Sequence, residues 1–76
     1  MTIEQQIITL AAQRFKISPQ DLSADDDFYE KLNINSLQAI GLLTDLETIF
    51  NIEIPDYEMQ GVTTFTALAD KIKQRL

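Results

Sequence analysis

Ser36 opens a helical stretch, with Asn35 directly before it and Leu37 and Ile40 just after. A serine hydroxyl in a first helical turn is exposed. The free amides there stabilise negative charge, so the position suits a phosphate ester. Taken alone, a serine at a helix start is ordinary, because the residue is enriched there as a cap. Nothing in the chain could activate Ser36 as a catalytic nucleophile: histidine is absent and no lysine is adjacent in sequence. The lack of histidine removes the Ser-His-Asp triad and the imidazole base. The lack of cysteine removes thiol nucleophiles, disulfides and Cys-based zinc sites. The chain is therefore read as not an enzyme, and a second protein must supply the catalyst for any chemistry at Ser36. Asp25, Asp26 and Asp27 form a run of carboxylates without the spaced oxygen ligands of an EF-hand. It is read as a solvated turn, and no metal site is assigned.

The elements that must position Ser36 follow from periodicity. From Thr2 to Phe15, apolar residues fall at Ile3, Ile7, Leu10, Ala11 and Phe15, the spacing of one helical face. Between Lys16 and Asn35 the period disappears into breakers such as Ser18-Pro19. Ile17, Leu22, Phe28, Leu32 and Ile34 still recur there, as in a long loop tacked onto a core, with one helical turn near Phe28. A connection of this length in a small domain is usually functional. A second helix spans Ser36 to Phe50, with Asn35 as N-cap, Gln38 completing a capping box and Asn51 as a left-handed C-cap. A single turn covers Asp56 to Gln60. The last helix runs from about Thr64 to Arg75, capped by Thr63 or Thr64, with Lys71, Lys73 and Arg75 suiting its C-terminal dipole. The expected fold is all-α: a small bundle of three main helices plus one short helix, with a long loop between the first and second main helices. The 76 residues make one domain, 1–76, near the lower size limit for a core without staples.

The second helix has two apolar faces. At 100° per residue, Ala39, Leu42, Leu43, Leu46, Ile49 and Phe50 fall within an arc of about 120°, enough for a core. Leu37 and Ile40 lie nearly opposite, beside Gly41 and Thr44, and the only acids on this helix are Asp45 and Glu47. Isolated exposed apolar residues are ordinary. Two together at a helix start, beside a long loop, favour a contact surface for that loop or for a partner protein. Twelve acids against six bases leave a net charge of −6, which disfavours nucleic acid and favours basic proteins. The apolar runs are too short and broken to span a bilayer, and the N-terminus has no basic region typical of a secretory signal. A soluble cytoplasmic domain is the default expectation.

The ordered series Asp26-Asp27-Phe28-Tyr29-Glu30-Lys31-Leu32-Asn33-Ile34-Asn35-Ser36-Leu37, then residues 42–50, Ile52-Glu53-Ile54-Pro55-Asp56 and Val62-Thr63-Thr64, resembles an acyl carrier protein along essentially the whole chain. The resemblance implies that Ser36 carries 4′-phosphopantetheine, covalently attached from coenzyme A by a phosphopantetheinyl transferase. The arm's thiol would hold acyl groups as thioesters. A stand-alone, monomeric carrier would then shuttle them between acyl-transferring and condensing enzymes with basic docking patches. Fatty acid, polyketide or related specialised lipid synthesis fits, and aminoacyl or peptidyl loads stay open. The docking surface implied comprises Asn35, Leu37, Ile40, Gly41, Asp45, Glu47 and Asp56.

Three positions depart from the family pattern. Asn35 replaces the usual aspartate; it caps as well, but the lost charge would weaken transferase recognition. Asn33 stands where glycine is common, and asparagine tolerates positive φ. Gly41 stands where fatty-acid carriers have an acid, which points to a partner that does not rely on a basic patch there. An alternative also fits Asn35: an arm-less, carrier-like interaction module docking through the second helix.

Overall fold

The computed structural model describes residues 1–76. Its elements are α1 (Ile3–Phe15), a 3-10 turn (Pro19–Asp21), α2 (Phe28–Leu32), α3 (Ser36–Phe50), a second 3-10 turn (Asp56–Met59) and α4 (Phe65–Lys73). The expected second and last helices are α3 and α4. The three long helices stand where the periodicity puts them, and no strand is present, only an isolated bridge between Asp27 and Thr64. The short α-helix, however, is α2. The turn after Pro55 is 3-10 rather than α.

Local chemistry sets each boundary. Thr2 and Gln5 form a reciprocal capping box at the start of α1. Asp27 accepts the amides of Tyr29 (2.9 Å) and Glu30 (3.2 Å), so one carboxylate nucleates α2. The other carboxylates of that run also have partners: Asp26 accepts the Ser23 amide (2.8 Å) and Asp25 the Thr66 hydroxyl (3.3 Å). Thr64, not Thr63, caps α4. Lys16, Asn33 and Asn51 end α1, α2 and α3 in the left-handed region, at φ of 58°, 55° and 54°. Asparagine's tolerance of that region explains two of these stops.

Sixteen buried residues, all apolar, form one cluster. α1 packs chiefly on α4 and also on α3. The long connection joins this core through Leu22, Phe28 and Leu32, and the Phe28 and Phe65 rings lie 5.7 Å apart. Main-chain bonds staple the connection to the start of α4: Phe28 N–H to the Thr63 carbonyl (2.8 Å) and Thr66 N–H to the Ala24 carbonyl (2.9 Å). The connection is therefore a structured wall that fixes where α3 begins. The expected core face of α3 is buried at Ala39, Leu42, Leu43 and Leu46, while Phe50 is half-buried. Ile49 departs from expectation: it is 57% exposed. It sits at the edge of the apolar arc, where no element covers it.

Candidate functional site

Ser36 is the first residue of α3 and is exposed. Asn35, not Ser36, provides the cap: its Oδ1 accepts the Gln38 amide (2.9 Å), and Gln38 Oε1 accepts the Asn35 amide (3.0 Å). The serine hydroxyl is thus left free of any structural bond. The amides of Ser36 and Leu37 have no protein acceptor and lie at the positive end of the α3 dipole. This start is fixed from behind by α2, whose end turns through Asn33 and bonds the Ile34 amide to the Tyr29 carbonyl (3.1 Å). A free hydroxyl, unpartnered amides and an anion-favouring dipole fit a phosphodiester on Ser36.

Leu37 is 77% exposed and Ile40 47%. Beside them a pocket of about 220 Å³ opens, lined by Tyr29, Ala39, Ile40, Leu43 and Met59, with Ser36 and Asp56 also in its wall. An apolar chain entering it would be shielded from water, at about 0.8 kcal/mol per buried methylene. A larger open groove of about 560 Å³ between Thr44, Thr48 and residues 52–55 does not include Ser36, and only two of its seven lining residues are hydrophobic.

The remaining sequence-derived docking residues occupy different settings. Asp56 is exposed at the start of the second 3-10 turn and shares the pocket wall with Ser36. Glu47 is half-buried, its carboxylate accepting the Ile54 amide (2.8 Å). Asp45 forms an ion pair with Arg14 of α1. Gly41 lies beneath that same guanidinium: a Cβ there would sit 2.5 Å from Arg14 Nη2 and 3.2 Å from Cζ. The glycine therefore has a contact within its own chain, which wheel geometry on α3 alone does not reveal. Tyr29 and Met59 of the pocket, and Arg14, were not singled out from sequence. No local pattern marks them, because tertiary packing brings them to α3.

Charge is distributed unevenly around this site. Lys73 pairs with Glu4 (3.1 Å), and Lys71 and Arg75 both pair with Glu58, so the basic end of α4 is consumed internally. With Arg14 on Asp45, only Lys16 and Lys31 lack a carboxylate partner. Asp56, Glu53 and Glu30 are exposed and have no ion-pair partner. Of these, Asp56 shares the pocket wall with Ser36, while Glu53 lies at the open groove beyond Thr44 and Thr48.

A protein-family profile described as the phosphopantetheine attachment site matches residues 5–72. Among solved structures, an acyl carrier protein from Enterococcus faecalis, described for novel components contributing to its high thermal stability, has the same fold. It superposes with a TM-score of 0.79 at 23% identity, covering 100% of both chains. No helix of the chain is long and apolar enough to cross a membrane.

Proposed function

The chain belongs to the family of phosphopantetheine-bearing carrier proteins, and from that premise we propose that Ser36 is the attachment point and that the loaded arm carries acyl groups between enzymes. The family is one of carriers, not catalysts, and its cofactor is 4′-phosphopantetheine. The observation that carries the assignment to Ser36 is its geometry. It offers an exposed, unbonded hydroxyl on the first residue of α3, beside two unpartnered amides.

In this reading the arm supplies a terminal thiol, which the cysteine-free chain lacks. The chain's own residues orient and recognise. Asn35 and Gln38 hold the helix start in place, so the free amides of Ser36 and Leu37 would be held ready for a phosphate attached there. Leu37 and Ile40 offer apolar contact to a docking enzyme. Exposed Asp56 steers a basic partner towards the serine, and charge of this kind raises encounter rate more than affinity. The pocket of Tyr29, Ala39, Leu43 and Met59 favours an apolar load, so a fatty acyl or polyketide intermediate fits better than an aminoacyl one. A soluble cytoplasmic monomer, a single carrier domain acting in trans, fits this role.

Loading the purified chain in vitro with a phosphopantetheinyl transferase and a fluorescent coenzyme A analogue tests the assignment. Tandem mass spectrometry should place the label on Ser36. Label on any other residue, or none with several transferases, overturns it.

A further inference from the structure

Leu37, Gly41 and Asp45 are spaced four residues apart and form one row along α3, with Ser36, Ile40 and Thr44 in the row beside it. Each step within a row is about 6 Å. Arg14 crosses from the end of α1 onto the middle of the first row, with its guanidinium over Gly41 and bonded to Asp45. Any side chain larger than hydrogen at position 41 would displace it, since an added Cβ falls 2.5 Å from Nη2. Stability does not account for this arrangement. A glycine inside a helix weakens it by at least as much as an exposed ion pair returns. Its effect on the surface is larger, because it replaces an acidic mid-helix with a neutral pair next to exposed Leu37.

We propose that Arg14 is a specificity-determining residue of the docking face. Seated in the notch left by Gly41, it cancels Asp45, so a partner enzyme resting on Leu37 and Ile40 meets no net charge at the Asp45 position, and half-buried Glu47, tied to the Ile54 amide, is the one unpaired acid left on α3. The partner that fits is one whose contact over the middle of α3 is apolar. A partner presenting a lysine or arginine there gains nothing from Asp45 and meets a guanidinium first. The steering charge is left to exposed Glu53 and Asp56. This inference rests on the carrier reading for its biological meaning, but the charge pattern itself can be measured without the arm.

The test compares wild type, Arg14→Gln and Arg14→Lys in two assays. In the first, pentalysine is titrated into isotope-labelled protein and amide shifts are mapped. Wild type and Arg14→Lys should shift at residues 53 and 56 but not at 44–46. Arg14→Gln should add shifts at 44–46. In the second, phosphopantetheinyl transferase loading of Ser36 is followed at low salt. Arg14→Gln should raise kcat/KM for a transferase with a basic docking patch by about two- to fivefold, the worth of one exposed charge pair. That gain should vanish near 1 M salt, where the Debye length is about 3 Å. Identical peptide maps for wild type and Arg14→Gln, or a loading rate indifferent to Arg14, would overturn the proposal. If wild type is never loaded, the carrier reading falls, and the peptide map alone decides the role of Arg14.

Discussion

Replacing Gly41 by alanine tests whether the notch on α3 is built for Arg14. The new Cβ would stand 2.5 Å from Arg14 Nη2, 3.2 Å from Cζ and 3.5 Å from Nε. These atoms are the far end of a flexible, part-exposed side chain, so the guanidinium moves aside and the backbone does not. Two effects then oppose each other. Alanine improves the helix by about 0.8–1 kcal/mol over glycine. Displacing the guanidinium loses the Arg14–Asp45 pair, which at this exposure is worth about 0.2–1 kcal/mol. The expected net is a stabilisation of about 0.5 kcal/mol, or a rise in Tm of roughly 2–4 °C for a domain of this size. Urea unfolding followed by circular dichroism should be run on wild type, Gly41→Ala, Arg14→Ala and the double variant. In the Arg14→Ala background the gain from Gly41→Ala should approach the full 1 kcal/mol or so, leaving a coupling of roughly 0.5 kcal/mol between the sites. Destabilisation beyond about 1 kcal/mol by Gly41→Ala alone, or strict additivity in the cycle, would refute the shared-space reasoning.

Asn35→Ala removes a reciprocal cap and should lower stability by about 1 kcal/mol in denaturant melts. Asn35→Asp should match or slightly exceed wild type, because it keeps the cap and adds negative charge at the helix N-terminus. The pKa of Glu4 is lowered from its ordinary 4.5, first by a backbone hydrogen bond and then by the Lys73 ammonium. A carboxyl with a depressed folded-state pKa stabilises above its unfolded value and loses that contribution as pH falls through the folded one. Melts across pH should therefore show Glu4→Gln less stable than wild type at neutral pH, with the gap closing as pH falls below the ordinary 4.5 and through the lowered folded-state value.

What was legible in the sequence was local. Asn35, Gln38 and Asn51 marked the ends of α3 because capping and left-handed geometry depend on neighbours along the chain. Ser36 was legible as the opening residue of a helix for the same reason. α2 was harder: at five residues it is too short to show a period, and it exists because Asp27 caps it and Phe28 and Leu32 anchor it to the core. Ile49 looked like core because a helical wheel knows the face of a helix but not whether another element covers it. The setting of Gly41 and Asp45 was beyond any local pattern. It depends on Arg14, 31 residues before Asp45, and only the packing of α1 on α3 brings the three together.

The intact mass of the chain, co-expressed with a broad-specificity phosphopantetheinyl transferase, tests the central claim most directly, with Ser36→Ala alongside. Ser36 makes no structural hydrogen bond, so the alanine variant should fold as wild type does, within about 0.5 kcal/mol. Wild type should then gain the mass of one phosphopantetheine and the folded Ser36→Ala variant none. An unmodified wild type, or a modified Ser36→Ala, would contradict the account.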